Sequence, residues 1–540
     1  MLDQEMKEQL RGVFAKLESK VALVYDDSKN ENQPELVSML NDLAETSSMI
    51  EVRPSGKTLG APGFEILHAD KTSRETPKPL VPTGIRFKGI PGGHEFTSLV
   101  LGILNADGKG KMPDDGLSAR IRAVRGPVKI KTFMSLTCEN CPEVVQALNQ
   151  MALLHGNFEH EVIDGAYAQD EIDRLGIQGV PSIVVGDKMI HSGRIHFLDL
   201  LAKVEETFGA DQAAQVAPKD LGHFDVVVIG GGPAGVSSAI YSVRKGLKTA
   251  LLAERMGGQV QDTKGIENLV SVIYTEGPKL SEDMAKHLAS YPVTIFDRRR
   301  VKAVGTDRTI TLEGGETLSS EAIIIATGAK WRELGVPGEK DYIGRGVAYC
   351  PHCDGPFYKD KKIAVIGGGN SGVEAAIDLA GIAGSVVVLE YGEKLRADQV
   401  LVDKLNSMPN TSVITQAQTT ELKGDGQKIV ELHYTNRTDT SKKAFAVDGV
   451  FVQIGLLPNS GFLKGVVALS KFGEIIVDEK GRTNVPGIYA AGDVTTAPYK
   501  QIIIAMGEGA KAALTAFEDR IRGEVPKGKS TDKITAAAHA

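Results

Sequence analysis

Two pairs of cysteines, each separated by two residues, are the most reactive feature of this 540-residue chain. The pairs are Cys138 with Cys141 and Cys350 with Cys353, and together they use every cysteine of the sequence. Pairs at this spacing serve as redox dithiols or as metal ligands. A structural zinc site would need all four cysteines together, whereas each pair lies in its own sequence context. We therefore interpret both pairs as carriers of electrons.

The composition is ordinary for a soluble globular protein, with 42% hydrophobic and 24% charged residues. The length predicts two to four domains. A formal charge of -7, without a Lys/Arg-rich run, argues against a nucleic-acid partner. The acidic N-terminus lacks the apolar core of a signal peptide, and we expect no membrane span because no 18-residue apolar stretch occurs. We expect a cytoplasmic protein, in which paired cysteines favour redox roles.

The first dithiol lies between a strand-like and a helix-like segment. Residues 128–133 form a strand-like run with apolar residues at positions 128, 130 and 133, and residues 144–154 have apolar spacing near three and four. A thiolate at a helix N-terminus is stabilised by peptide dipoles and free N–H groups, so Cys138 should be the nucleophile and Cys141 the resolving cysteine. The arrangement resembles a thioredoxin-like fold. Pro181 resembles the cis-proline that faces the dithiol in that fold, although an ordinary proline at a strand entry is the alternative.

A weak internal repeat precedes this segment. Residues 30–37 align with residues 138–145 at an offset of 108, and each follows a strand-like run and precedes an amphipathic stretch. Asn30 and Gln33 stand where the second copy has its cysteines. The first copy can therefore keep the fold but not the dithiol chemistry.

A second similarity, between residues 89–91 and residues 179–181, extends the repeat. We predict two tandem thioredoxin-like folds, over residues 1–110 without a dithiol and over residues 111–204 with one.

Two further segments are interpreted as connections. Residues 205–221 include a polar, alanine-rich stretch with a proline, which predicts an interdomain linker. Residues 523–540 are rich in Lys, Thr and Ala, which predicts a disordered tail.

Two glycine fingerprints of the dinucleotide type follow the linker, each between a β-type run and a helical pattern. Glycines in such a turn let the backbone approach a pyrophosphate, whose charge the helix N-terminus stabilises. The glycines are Gly230, Gly232 and Gly235 in the first copy and Gly367, Gly369 and Gly372 in the second.

An acidic residue ends the second strand of each fingerprint, about 20 residues further on. These residues are Glu254 and Glu390. A carboxylate there accepts hydrogen bonds from ribose hydroxyls and would repel a 2′-phosphate. Residues 390–393 also lack the arginine pair that a 2′-phosphate favours, so we expect the second site to prefer NADH to NADPH.

The first copy carries additional motifs that resemble the flavoproteins with two dinucleotide domains. Residues 326–328 end an apolar run, and residues 487–493 close another far downstream. The resemblance places Asp493 on the flavin ribityl and phosphate; a turn residue capping Val494 is the alternative. It implies that FAD is held by Gly230, Gly232, Gly235, Glu254, Gln259, Asn268, Thr327, Gly328, Asp493 and Gln501, and NADH by Gly367, Gly369, Gly372 and Glu390.

The same resemblance implies that one domain is inserted in the other. Residues 222–332 and 456–522 would form the FAD domain, and residues 333–455 the NADH domain with its dithiol. The predicted fold class is α/β, with two tandem thioredoxin-like folds followed by this reductase body.

The second dithiol, in residues 350–358 (CPHCDGPFY), resembles the redox motif of low-molecular-weight thioredoxin reductases. The resemblance implies that Cys353 faces the flavin and that Cys350 exchanges with the next disulfide. It places Asp354 in the acid–base position. His352 could stabilise a thiolate or could be a solvated loop histidine.

The complete arrangement, over residues 1 to about 520, resembles the flavoprotein component of alkyl hydroperoxide reductases. That family implies an electron route from NADH to FAD, then to Cys350–Cys353, then to Cys138–Cys141, and finally to the disulfide of a two-cysteine peroxiredoxin. It also implies a homodimer, and an NADH domain that rotates between two poses.

Three alternatives remain open from the residues. A thioredoxin reductase fused to its own thioredoxin would share every site. A disulfide isomerase or thiol-dependent chaperone would leave both nucleotide sites unexplained. An NADH oxidase that passes electrons to oxygen would give Cys138 and Cys141 no role.

Overall fold

The computed structural model describes most of the chain, in the ranges 2–138, 140–177, 179–211, 219–263 and 265–525, without the side chains of residues 352, 353 and 356. The centre of the predicted linker and most of the predicted tail, residues 212–218 and 526–540, lie outside this description. The chain divides into two compact units, Met1–Ala217 and Pro218–Ala540.

The first unit is built on an eight-stranded sheet with helices packed against it. Its strands are β1 (Val21–Ser28), β2 (Ile50–Leu59), β3 (Gly63–Ala69), β4 (Leu80–Lys88), β5 (Val128–Met134), β6 (Phe158–Asp164), β7 (Ser182–Val185) and β8 (Lys188–Ser192). Its helices are α1 (Gln4–Phe14), α2 (Gln33–Ala44), α3 (Phe96–Ala106), α4 (Asp115–Ala123), α5 (Cys141–His155), α6 (Gln169–Leu175) and α7 (Phe197–Phe208).

The sheet consists of two halves with the same topology. The strand order is β2-β1-β3-β4 in one half and β6-β5-β7-β8 in the other. In each half the first strand in the chain pairs parallel with the second and antiparallel with the third. Parallel pairing of β4 with β6 joins the halves into one sheet. Gln33 and Cys141 begin the matching helices α2 and α5, as the sequence repeat predicted.

The second similarity that we used for the repeat is wrong. Residues 179–181 precede β7, whereas residues 89–91 follow β4, so the two segments occupy different places in the topology. The true counterpart of Pro181 is Pro62, because the N–H of Gly89 donates to the Pro62 carbonyl and the N–H of Gly193 donates to the Pro181 carbonyl, both at 2.8 Å. The shared Gly-x-Pro tripeptide was misleading, since topology rather than a short match defines the equivalence.

Helix α5 shows why the dithiol segment folds as it does. Pro142 lies in the first turn, where its fixed φ suits a helix start and its missing N–H costs nothing. Val144, Leu148 and Met151 are fully buried at helical spacing and bind the helix to the sheet. Gly156 ends the helix in the left-handed conformation, with φ of 74°.

The described residues of the second unit form four sheets. Its strands are β9 (Asp220–Ile229), β10 (Thr249–Ala253), β11 (Thr294–Asp297), β12 (Val301–Val304), β13 (Thr309–Leu312), β14 (Thr317–Ile325), β15 (Ala329–Trp331), β16 (Val347–Ala348), β17 (Lys362–Ile366), β18 (Ser385–Leu389), β19 (Thr411–Ile414), β20 (Ala417–Gly424), β21 (Ile429–Asn436), β22 (Lys442–Ala446), β23 (Gly449–Val452), β24 (Leu456–Pro458) and β25 (Ile488–Ala490). Its helices are α8 (Pro233–Arg244), α9 (Gly277–Ala289), α10 (Pro351–Asp354), α11 (Asn370–Ala380), α12 (Gln399–Asn406) and α13 (Ile502–Arg522).

In two sheets of this unit, one strand leads into a glycine fingerprint. The first has the order β11-β10-β9-β14-β13-β12, with β25 also paired to β14. The second has the order β16-β23-β17-β18-β19 and comes from the chain between β14 and β25. Strands β15 and β24 pair antiparallel where the chain leaves the first sheet and returns to it. One α/β body is therefore inserted into the other, as the flavoprotein resemblance implies.

The predicted linker and tail both begin too early. Helix α7 continues to Phe208 because Leu201 and Val204 keep its apolar face in the core, and β9 already begins at Asp220. At the other end, Gly523 caps α13 with φ of 71°, and Val525 is buried. In the described part of the chain, no helix is both long enough and apolar enough to cross a membrane.

Candidate functional site

The first dithiol is a disulfide at the start of α5. Cys138 and Cys141 are bonded to each other, with their Cα atoms 5.5 Å apart. Cys141 is completely buried, whereas Cys138 is partly exposed. The backbone N–H of Cys141 donates to the Sγ of Cys138 at 3.1 Å. The sulfur of Cys138, the less buried of the two cysteines, therefore lies at the positive end of the helix, where a thiolate is stabilised.

Pro181 lies directly beside this disulfide. The Val180–Pro181 peptide bond is cis, and the Val180 carbonyl oxygen lies 3.8 Å from the Sγ of Cys138. The segment that follows β8 also contacts the first turn of α5, since Nδ1 of His196 lies 2.7 Å from a carboxylate oxygen of Glu143. The arrangement is that of a thioredoxin-like dithiol with its cis-proline loop. The predicted role of Pro181 in docking a partner stays a prediction.

Sequence reasoning missed Glu95, a buried carboxyl group in the same unit. It ends a short 3-10 helix, Gly93–Glu95, which contacts α5 and whose His94 N–H donates to the carbonyl of Leu136. Its side chain is completely buried, and this burial raises the pKa of Glu95 to about 7, although the Ser98 side chain opposes part of the shift. The group can therefore hold a proton at neutral pH beside the dithiol helix. No local sequence motif identifies Glu95, because this residue lies in the thioredoxin-like copy without cysteines.

The two glycine fingerprints have matching geometry. The space around each glycine shows whether a dinucleotide fits there. A Cβ atom on Gly230 or Gly235 would meet backbone oxygens at 2.1 and 1.8 Å. A Cβ atom on Gly367 or Gly372 would meet backbone oxygens at 2.3 and 1.9 Å. The outer glycines of both copies are therefore required by the packing of strand, turn and helix.

The middle glycines behave differently. A Cβ atom on Gly369 would meet nothing within 4 Å, and one on Gly232 would meet only backbone atoms near 4 Å. Each middle glycine is the N-cap of its helix, and the described residues supply no side-chain cap to α8 or α11. The folded protein does not itself require a glycine at either middle position. The open space and the free N–H groups at each helix start fit a pyrophosphate.

The two acidic residues lie at the predicted strand ends but in different environments. Glu254 follows β10, is half exposed, and accepts from Arg300 at 2.9 Å. Glu390 follows β18 and is buried; its two oxygens accept from the N–H groups of Gly368 and Gly392, each at 2.7 Å. Each carboxylate oxygen has a second lone pair, so both residues can still accept from a ribose hydroxyl.

Two of the predicted flavin residues are brought together although 233 positions separate them. The side-chain amide of Asn268 donates to the side-chain oxygen of Gln501 at 3.2 Å. Gln259, in contrast, is held by β15, where its amide group donates to the Ala329 carbonyl and accepts from the indole N–H of Trp331. These contacts fix the Gln259 side chain at the level of the β15–β24 pair.

Thr327 and Gly328 are hydrogen-bonded to Asn459, in the segment after β24. The Thr327 hydroxyl donates to the carbonyl of Asn459 at 2.8 Å, and the Asn459 amide donates to the Thr327 carbonyl at 2.9 Å. The N–H of Asn459 donates to the Gly328 carbonyl at 3.0 Å. These three hydrogen bonds hold the carboxyl end of β14 against the segment after β24.

Asp493 lies in a 3-10 helix, Gly492–Val494, shortly after β25. Burial raises its pKa, the nearby Lys500 opposes that shift, and Glu508 adds to it. The N–H of Gly492 donates to the Glu508 carboxylate at 2.8 Å, which fixes the turn that presents Asp493. A carboxylate at the end of a parallel strand fits a ligand hydroxyl, as the resemblance implies.

The second dithiol lies in the short helix α10. Cys350 is its N-cap and is disulfide-bonded. The side chains of Cys353 and His352 lie outside the described residues, so their predicted roles are not tested. Burial raises the pKa of Asp354 to about 6, with partial opposition from the Cys350 backbone, and the pKa of Tyr358 to about 12. Asp354 can therefore exchange a proton near neutral pH.

Fold and site together define a pyridine nucleotide-disulphide oxidoreductase that carries a thioredoxin-like unit. The family described as pyridine nucleotide-disulphide oxidoreductase matches residues 224–509, and the thioredoxin domain family matches residues 128–205. Among solved structures, the chain is similar to thioredoxin reductase from Streptococcus pyogenes, at 34% identity and a TM-score of 0.52. That similarity covers 56% of this chain and 99% of the reductase.

Two full-length relatives narrow the class. The chain is 47% identical to the F subunit of alkyl hydroperoxide reductase from Pseudomonas putida, over 97% of this chain and all of the relative. It is 43% identical to a protein named NADH dehydrogenase from Bacillus subtilis, over 97% of this chain and all of that protein. The chain belongs to the family of alkyl hydroperoxide reductase F subunits. Its cofactors, as this family membership implies, are FAD and a nicotinamide dinucleotide.

Proposed function

We propose that the protein is an NADH-dependent disulfide reductase that regenerates the dithiol of a two-cysteine peroxiredoxin. The observation that carries this proposal is the presence of two dithiol sites in different settings within one chain. One site lies on a thioredoxin-like fold beside a cis-proline, and the other lies in a body with two dinucleotide fingerprints. The peroxiredoxin, rather than this chain, would reduce the peroxide.

Bound FAD would take a hydride from NADH and supply two electrons to the Cys350–Cys353 pair. Asp354, whose raised pKa lets it hold a proton near neutral pH, would protonate the sulfur that leaves as this disulfide is reduced. The ionised Asp354 carboxylate would then take the proton back from Cys350, and the resulting thiolate would attack the Cys138–Cys141 disulfide. Exchange would leave the disulfide on Cys350–Cys353 and the dithiol on Cys138–Cys141.

Cys138 and Cys141 would pass the two electrons to the peroxiredoxin by the same kind of thiol–disulfide exchange. The Cys138 thiolate attacks the disulfide of the peroxiredoxin and forms a mixed disulfide, and one partner sulfur leaves as a thiolate. Cys141 then attacks Cys138, which releases the second partner thiol and restores the Cys138–Cys141 disulfide. The partial exposure of Cys138 and the complete burial of Cys141 support this order.

NADH rather than NADPH is the proposed donor. Both oxygens of Glu390 are oriented by backbone N–H groups at the strand end where the adenosine ribose would bind. A buried carboxylate there disfavours a 2′-phosphate by charge repulsion. The rate of flavin reduction with each dinucleotide tests this preference, and faster reduction by NADPH would contradict it.

The choice of partner is tested by competition. The purified protein with NADH should reduce a two-cysteine peroxiredoxin faster than it reduces thioredoxin, measured as NADH consumption at equal partner concentration. Faster reduction of thioredoxin would favour a reductase of general protein disulfides. A homodimer and a cytoplasmic location remain proposals from family resemblance and composition; sedimentation analysis and cell fractionation test them.

A further inference from the structure

Trp331, the only tryptophan of the sequence, contacts a different part of the second unit on each side. It lies on β15, where the chain leaves the first dinucleotide sheet. Its indole N–H donates to the side-chain oxygen of Gln259 at 2.6 Å, and the Gln259 amide donates to the Ala329 carbonyl at 2.5 Å. Its ring is stacked on Tyr349, with the ring centres 6.3 Å apart and the planes 24° apart. Trp331 therefore joins a predicted flavin residue to the residue directly before Cys350.

Tyr349 is held by further contacts within the inserted domain. Its hydroxyl donates to the buried carboxylate of Glu339 at 2.8 Å, and its carbonyl accepts from the side-chain amide of Gln453 at 2.7 Å. The N–H groups of Leu334 and Gly335 fix the Glu339 carboxylate, at 2.8 and 2.7 Å. Burial, together with this carboxylate, raises the pKa of Tyr349, so the phenol stays a hydrogen-bond donor at neutral pH. The side chain therefore fixes a position and does not exchange protons.

The segment after the second dithiol also packs on the body that contains the first glycine fingerprint. A Cβ atom on Gly265 would lie 3.2 Å from the ring of Phe357 and 3.4 Å from the ring of Tyr274. The dithiol segment is thus held to this body on both sides, by the Trp331–Tyr349 stack before it and by Phe357 after it. Transfer between a flavin and a disulfide needs a defined approach of the reacting atoms, and a misplacement of about 1 Å is costly.

We propose that Trp331 is the positioning residue that sets the second dithiol against the flavin. It acts through Gln259 on the flavin side and Tyr349 on the dithiol side, and the inference rests on the proposed electron route. In the step concerned, the Cys350–Cys353 disulfide accepts two electrons and one proton from the reduced flavin and a second proton from Asp354, which gives two thiols. Loss of Trp331 should slow this step and leave hydride transfer from NADH to the flavin unchanged.

Rapid mixing of the FAD-loaded protein with NADH separates the two steps. Flavin absorbance measures hydride transfer, and thiol labelling of Cys350 and Cys353 after quenching, located by mass spectrometry, measures reduction of the disulfide. Trp331→Leu removes both contacts and should slow only the second step, about tenfold. Tyr349→Leu removes the stack and should do the same, whereas Tyr349→Phe keeps the ring and should retain most of the rate.

Tyr342→Leu is the matched control. Tyr342 packs against the same apolar core as Tyr349, but its ring faces the guanidinium group of Arg345, 5.5 Å away. This variant should reduce the disulfide at the original rate. A similar loss in Tyr342→Leu would show a general effect of core packing and would overturn the inference.

Tryptophan fluorescence supplies a readout without turnover, because Trp331 is the only tryptophan. Tyr349→Leu should change the emission of the oxidised protein, and Tyr342→Leu should not. Unchanged emission in Tyr349→Leu, an original rate of disulfide reduction in Trp331→Leu, or an equal loss of both steps would overturn the inference. If Trp331→Leu does not fold, the rates of Tyr349→Leu and Tyr349→Phe decide the question. Failure of NADH to reduce Cys350 and Cys353 in the unmodified protein would instead overturn the proposed function.

Discussion

The backbone N–H of Cys141 donates to the Sγ of Cys138 at 3.1 Å, so the sulfur of the less buried cysteine lies at the N-terminus of α5. This contact assigns different roles to two cysteines that look equivalent in the sequence. The sulfur that receives the N–H is stabilised as a thiolate and belongs to a partly exposed residue, whereas Cys141 is completely buried.

The first prediction follows from that difference. Cys141→Ser should trap a mixed disulfide between Cys138 and an oxidised partner, because the resolving thiol is missing. Non-reducing electrophoresis and mass spectrometry of the cross-linked peptide check the result. Cys138→Ser is the matched control and should trap nothing; an adduct on Cys141 in that variant would reverse the assignment.

The second prediction concerns Glu95 and stability. Burial raises its pKa from 4.5 to about 7, so between these values the unfolded chain releases a proton that the folded chain retains. The free energy of unfolding therefore falls as the pH rises from about 4.5 to about 7, and the loss persists above. Glu95→Gln should remove this loss and stabilise the protein at pH 8 by about 1–3 kcal/mol. Calorimetric unfolding at pH 5 and pH 8 measures it, and destabilisation of the variant at both values would contradict it.

The third prediction concerns Asp354. Because burial raises its pKa to about 6, the carboxyl group is protonated and able to donate below that pH and ionised above it. The rate at which NADH reduces the Cys350 disulfide should fall as the pH rises through about 6. Asp354→Asn should slow this step about a hundredfold and remove its pH midpoint. Rapid quenching with a thiol label measures the rate. A midpoint near 6 that survives in the variant would exclude Asp354 as the donor.

The fourth prediction separates glycines that fold the protein from a glycine that binds the ligand. Gly369→Ala should leave thermal stability unchanged, since its Cβ would meet nothing within 4 Å, but should weaken dinucleotide binding. Gly372→Ala should lower stability or prevent folding, since its Cβ would lie 1.9 Å from the Gly367 carbonyl oxygen. Melting temperature and a calorimetric Kd distinguish the two outcomes. Equal loss of stability in both variants would contradict the assignment.

Much of the fold could be predicted because its signals are local. The strand, cysteine pair and helix around Cys138 are contiguous, and both glycine fingerprints lie between a strand and a helix. The same logic failed for residues 89–91, since a tripeptide does not carry the topology that makes Pro62 the counterpart of Pro181. The end of α7 was also missed, because burial of Val204 depends on the packed core.

The parts of the site that sequence reasoning missed depend on contacts between distant segments. Glu95 lies in the copy without cysteines and gains its raised pKa only through burial. Trp331 contacts Gln259 and Tyr349, each in a different segment of the chain, so no local motif brings the three together. Residues that act through tertiary contacts leave no local spacing in the sequence.

The central claim is that electrons leave this protein through Cys138 and Cys141, and one measurement tests it most directly. NADH consumption coupled to peroxide reduction by a two-cysteine peroxiredoxin should be abolished in Cys138→Ser, while NADH still reduces the bound flavin at the original rate. Peroxide-linked NADH consumption that persists in Cys138→Ser at the rate of the unmodified protein would contradict the proposed route.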